Sequence, residues 1–464
     1  MLDKIRTFIK DNYYYFATAI ISVVDIVCLA CNFQTKLVLA VSAFLMATLF
    51  AIIDESKSFY LVLFILPFRC LDNVGIFKSV GYTSLVCLLF SAVICVRYLI
   101  KLIMKREKIL LLPFILSCVL MLLGCINFDR ANYLDLVMNW VMIATFYVMF
   151  VNYKKVNYKS ACYSMLVGLA LSLCLSGVLY LSSAKRGMVM YYDRFIALTG
   201  DPNALQLLCT TLIAVLVCLY HNKKVQLYLF YPLIAVLAMV GLVTKSKSFL
   251  ICFALIILVH LIFTIISIAK SEKKQSKIFE LGIMLLIIGV AMFAFKDQIN
   301  NILYRFKQTV YSGFFNSITT GRVNIWLTYL KHWASSAWFI IFGVGITAEP
   351  LLPVAHCHND FVYLLYSYGI VGVGVIVALV VFYLKAVNDK KSRFKIINLL
   401  PIATICLLAM IECLITSLLF KFLFMLAVGM IFASDNHTPA KSDLTIAQDN
   451  QIESKENINT EEKI

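Results

Sequence analysis

Apolar and polar residues fall in blocks along this chain: fourteen apolar stretches are separated by short charged loops. They run over roughly 13–31, 37–53, 59–72, 82–100, 109–127, 133–151, 160–181, 203–220, 226–243, 248–269, 278–295, 359–384, 396–416 and 418–433. Crossing a bilayer takes about 20 apolar residues, fewer where a segment is short or tilted. Pro67 and Arg69 interrupt the third stretch, and only a turn near Thr416–Ser417 parts the last two. The pattern predicts an all-α fold, a polytopic transmembrane helical bundle of about 14 spans (12–14), with a large loop of about 60 residues, 296–358, between spans 11 and 12.

Composition agrees, since 62% hydrophobic and 14% charged residues exclude a soluble globular domain. The opening MLDKIRTFIKDN is charged and short and is expected to stay in place rather than be cleaved. A net charge of +16 in such a chain points to basic cytoplasmic loops rather than nucleic-acid binding. Taking alternate loops as cytoplasmic collects 23 Lys and Arg on one side against 15 on the other, so both termini are expected inside and the 296–358 loop outside. The outer basic residues concentrate in Lys185–Arg194, Lys245–Lys247 and the long loop. That loop is expected to fold back as helices on the membrane, because Trp326, Trp333 and Trp338 read as interfacial anchors. Residues 1–434 form one transmembrane domain, and the polar stretch 435–464 reads as a disordered cytoplasmic tail. The 15 cysteines mostly sit singly in apolar runs, with no disulfide framework or zinc spacing.

Chemistry concentrates on the outer side. The segment 320–374 gathers Arg322, Lys331, His332, Glu349, His356, His358, Asn359 and Asp360. In RFIALTGDPNALQ, Arg194 precedes the turn Gly200-Asp201-Pro202-Asn203, where Asp201 or Asn203 is placed to cap the next helix. A plain turn beside a solvated arginine is the competing reading. In TKSKSFL, Lys245 and Lys247 meet a helix start carrying Ser246 and Ser248, which makes an anion site or two lysines snorkelling to headgroups. Arg322 opens a Trp-bearing amphipathic segment, as a phosphate-forking guanidinium or an ordinary loop cation. His356-Cys357-His358-Asn359-Asp360 stands at the start of an apolar run and fits a metal pair, a helix cap or a proton acceptor at His358. Within the spans, Asp25 and Glu412 are costly carboxylates, either relay groups of a transporter or partners of buried hydroxyls and basic residues.

The ordered pieces RFIALTGDPNALQ, TKSKS, GRVNIW, FGVGITA and HCHNDFVYLLYSYGIVG, over about residues 190–375, resemble the bacterial O-antigen polymerase and ligase family. The resemblance departs at Lys247, where the family usually has arginine. It implies a metal-independent glycosyltransferase of the plasma membrane, without cofactor, acting on the outer face. The donor would be an undecaprenyl-diphosphate-linked oligosaccharide repeat unit and the product an O-antigen or capsule. Arg194, Lys247, Lys245 and Arg322 would hold the diphosphate, His358 would take the acceptor proton, and Asp201, Asn203 and Asn359 would position. Implied partners are the acceptor glycan, membrane lipids, a flippase and a chain-length regulator. Within the family the alternative is a ligase that transfers the glycan to a surface acceptor. Outside it, the alternative is a polysaccharide flippase or secondary transporter.

Overall fold

The computed structural model describes residues 2–74, 80–107, 109–127, 133–151, 156–182, 185–270, 274–294, 296–297, 299–300, 303–304, 307, 322–346, 357–388, 396–411 and 417–432. Glu349, His356, Glu412, most of the 296–358 loop and the 435–464 tail lie outside these residues. The described residues are about 85% helical, with almost no sheet. Helix lies at each of the fourteen expected segments: α1 (Leu2–Cys31), α2 (Thr35–Ile52), α3 (Glu55–Ile65), α4 (Tyr82–Ile103), α5 (Leu111–Gly124), α6 (Tyr133–Val151), α7 (Tyr158–Leu181), α8 (Pro202–His221), α9 (Leu227–Val243), α10 (Lys247–Lys270), α11 (Lys274–Ala294), then α14 (Asp360–Asn388), α15 (Leu400–Ala409) and α16 (Leu418–Phe432). Between α11 and α14 lie α12 (Arg322–Trp333) and α13 (Ala337–Phe342).

Seven of these are long and apolar enough to cross a membrane: Asn12–Cys31, Thr35–Ile52, Tyr82–Ile103, Tyr158–Leu181, Pro202–His221, Lys247–Lys270 and Asp360–Tyr383. The interrupted third stretch is resolved as expected from Pro67, which has no N–H to continue an α-helical ladder. There α3 ends at Ile65 and a 3₁₀ segment, Leu66–Asn73, takes over.

The bundle is built around α8. Its apolar window is 89% buried, where those of the other six long apolar helices are 28–33% buried. Helices α7, α9, α10, α15 and α16 pack against it. Contacts between loops sort the helix ends into two sides. At one end Arg97 donates to the carbonyls of Ala51 and Ile53, and Lys101 pairs with Glu55. Burial raises the Glu55 carboxyl, but the bond from Lys101 and the nearby Arg97 outweigh it and hold the group below the usual glutamate range. At this same end Cys218 donates to the carbonyl of Ile397 at 2.8 Å and Asn222 to Asn398 at 2.7 Å. At the other end Asp72 caps α4 by accepting from the amides of Thr83 and Ser84 at 2.7 and 3.2 Å.

Helix α14 is broken at Gly369 (φ 62°, ψ −171°). The carbonyls of Tyr366 and Ser367 accept instead from the amides of Val344 and Gly345, at 2.8 and 3.0 Å. A Cβ on Gly369 would meet the Gly343 nitrogen at 2.4 Å, in a backbone conformation essentially reserved for glycine. Gly369→Ala is therefore expected to abolish recovery of monodisperse protein on gel filtration in detergent. Gly374→Ala, five residues on where a Cβ meets nothing within 4 Å, is expected to leave the elution profile unchanged.

Candidate functional site

Three separate stretches of the sequence converge at the α8 N-terminus. Pro202 needs no amide partner at the first helical position, and Asp201 supplies the cap, its Oδ1 accepting from Asn203 N at 2.5 Å and Ala204 N at 3.1 Å. Immediately upstream, Met190–Tyr191 (β1) and Arg194–Phe195 (β2) form a small antiparallel hairpin, the one sheet among the described residues. The hairpin presents Arg194, whose Nε donates to the carbonyl of Thr244 at 2.8 Å and whose Nη2 reaches Asn203 Oδ1 at 3.5 Å.

Thr244 ends α9, and Lys245 follows with φ 54° before α10 begins at Lys247. The Lys245 ammonium pairs with Asp193 at 2.5 Å, in the hairpin turn. Ser246 and Ser248, both buried, share a hydrogen bond at 2.9 Å. Arg194 is thus bonded to Asn203 and to Thr244, and the next residue Lys245 to the neighbouring Asp193, with Asp201 and Lys247 in the adjoining helix starts. The contacts also set limits. Asp201 is occupied as a cap, and the Nε and Nη2 of Arg194 clamp one turn to another. The hairpin and the Thr244 carbonyl were missed from the sequence, although Asp193, a carboxylate beside Arg194 in a basic loop, was a usable sign.

Arg322 opens α12 and donates through Nη1 to the carbonyl of Ile411, past the end of α15. Since α15 packs along α8 and begins beside the α8 C-terminus, Ile411 and Arg322 lie toward the Asp201 end. Trp326 and Trp333, expected as lipid anchors, are partly buried against protein. With Ile325 they pack against the buried cluster of Tyr329, Tyr363 and Tyr366, where the stripe of α12 meets α14, while Trp338 is 57% exposed against Phe342. His332 Nδ1 lies 2.8 Å from the Tyr366 hydroxyl, a link the sequence gave no means of reading.

His358 has φ 50°, left-handed backbone that histidine adopts more readily than most residues. That turn delivers Asn359 as the cap of α14, its Oδ1 accepting from Phe361 N at 3.0 Å and Val362 N at 3.1 Å. Cys357 is fully buried in the α12–α14 cluster. The bonds described for Arg322 and Asn359 are made with the end of α15 and the start of α14, so they do not by themselves carry either residue to Arg194.

The chain matches no protein-family model and no curated protein.

The capping geometry gives a test that separates structure from chemistry. Asn359→Ala is expected to lower stability by about 0.5–2 kcal/mol, the usual cost of losing such a cap. Asn359→Asp, which can accept the same two bonds, is expected to melt near the parent in a thermal-shift measurement.

Proposed function

We propose that the chain is a membrane glycosyltransferase that polymerises polyprenyl-diphosphate-linked oligosaccharide repeat units of a bacterial surface polysaccharide, O-antigen or capsule. The observation that carries this reading is the convergence of Arg194, Lys245 and Lys247 at the paired starts of α8 and α10. Helix N-termini and fixed cations favour an anion. A diphosphate leaving group needs that neutralisation as the glycosidic bond breaks, and preorganised cations supply it without a metal. Arg194 and Lys247, with Lys245 beside them, bind the diphosphate, and Arg322 adds a guanidinium fork. His358 takes the proton of the acceptor hydroxyl, a task suited to an imidazole near neutral pH. Asp201, Asn203 and Asn359 fix the turns that carry these groups.

The site faces the outside of a plasma membrane, with about 14 spans and both termini in the cytoplasm. The native Cys357 thiol is buried and unsuited to reporting this. Cysteine at the 86% exposed Tyr192, in a background lacking the exposed Cys31 and Cys174, is expected to react with an impermeant thiol reagent in intact cells. Cysteine at Lys105 is expected to react only after permeabilisation. The reverse pattern inverts the orientation and removes the function with it.

The division of labour is tested with purified protein and a lipid-linked donor. Arg322→Lys keeps the charge and is expected to weaken donor binding, with thermal stability measured alongside because the Ile411 carbonyl also loses its partner. His358→Ala is expected to bind donor normally and to lose transfer by about 100-fold or more. Polymer made at the parental rate by His358→Ala sinks the base assignment.

A further inference from the structure

Asp25 lies inside α1 and is 0% exposed. Ser42 of α2, also buried, donates its hydroxyl to Asp25 Oδ1 at 2.6 Å. Tyr82, the first residue of α4 and 1% exposed, faces the same carboxylate closely enough to act on it. Yet the Tyr82 hydroxyl and Asp25 Oδ2 are both buried without completing a hydrogen bond. Three helices therefore bring together a carboxylate and two hydroxyls, with Asp25 Oδ2 and the Tyr82 hydroxyl set against each other and no further described partner for either.

No described cation answers the carboxylate. Lys36, on α2, is exposed. Arg69 sits 3.9 Å from Asp72 in the 66–73 segment. Arg97 and Lys101 of α4, and Glu55 and Lys57 of α3, are held at the opposite end of the α2–α4 pair, and Lys159 of α7 lies over Tyr163. A bare carboxylate at that burial is among the most expensive things a membrane helix can carry. It needs one positive charge, and among the described residues the side chains around it supply none.

We infer that the Asp25–Ser42–Tyr82 cluster is a binding site for a single positive charge from outside the chain, a proton or a small monovalent cation. The donor set is all oxygen, which suits a proton or a hard alkali ion and not a soft metal. Occupancy ties α1, α2 and α4 together directly beneath the α4 start that Asp72 caps. The segment carrying Asp72 packs in turn against residues 197–199, which lead into α8. The site thus lies under the same end of the bundle as the Arg194 cluster, and it stands whether or not the glycosyltransferase reading does.

The test uses the full chain in lipid nanodiscs, first in sodium-free choline chloride buffer at pH 7. If the charge is a proton, the infrared carbonyl band of a protonated carboxyl is present in the parent and lost in Asp25→Asn. If it is a cation, that band is missing, and replacing choline with sodium or potassium chloride raises the melting temperature of the parent but not of Asp25→Asn. Ser42→Ala keeps the carboxyl and covers the case in which Asp25→Asn does not fold. Because the Ser42 hydroxyl bonds the carboxylate directly, its loss is expected to shift the pH at which the band disappears, or to weaken the cation effect. A parent with neither the band nor a cation effect overturns the site, as does a Ser42→Ala protein in which the observed quantity does not move.

Discussion

A helix long and apolar enough to cross a membrane must satisfy its own backbone, and the break in α14 shows how far that constraint reaches. Such a helix can be interrupted only where protein supplies the missing partners. Here the carbonyls of Tyr366 and Ser367 are taken by the amides of Val344 and Gly345. The carbonyl of Val344 is then taken by Asn127 at 2.9 Å, and that of Ile346 by the Tyr363 hydroxyl at 2.8 Å. One irregular residue has therefore recruited the segment after α13, the end of α5 and the first turn of α14 itself. The glycines at 343 and 369 follow from the same approach, because their backbones pass too close for side chains. Two stretches that look unrelated in sequence, FGVG and SYG, are one packing unit.

The same economy explains why polar side chains at the Arg194 end are largely engaged with backbone. Asp201 and Asn359 spend their oxygens on the first amides of α8 and α14, and Arg194 and Arg322 spend nitrogens on the last carbonyls of neighbouring elements. Helix ends are where a membrane protein exposes unmatched amides and carbonyls. A side chain that answers them fixes the angle at which one helix meets the next.

Much of this was legible and some was not, for physical reasons. Hydropathy finds helices because an apolar run long enough to cross must be helical, so each expected segment holds one. The caps at Asp201 and Asn359 could be read because a short polar acceptor just before an apolar run has a local mechanism. What hydropathy cannot distinguish is protein from lipid, since both accept the same side chains. The central place of α8 was therefore invisible, and so was the fate of Trp326 and Trp333, whose spacing fits a membrane surface and a helix interface equally well. The 190–195 hairpin was missed because its strands are two residues long, too short for any period to register. The convergence of Arg194 with the Lys245 turn is a contact between residues 50 apart, and it depends on how α8, α9 and α10 pack.

That dependence bears on how a fixed cation could serve chemistry. A guanidinium that floats in solvent must be reorganised when charge develops beside it, and the cost of that reorganisation is subtracted from what it contributes. One held through Nε by a buried carbonyl is already oriented. On the proposed reading, the clamp from Arg194 to Thr244 is therefore a precondition for anion binding. It also gives meaning to Lys247 where arginine is the usual residue of the resembled family. Lysine acts as a point charge and needs no particular orientation, so it can stand at the first position of α10, where the helix amides already point outward. The geometry of recognition would then rest on Arg194 and Arg322, and the charge on the lysines.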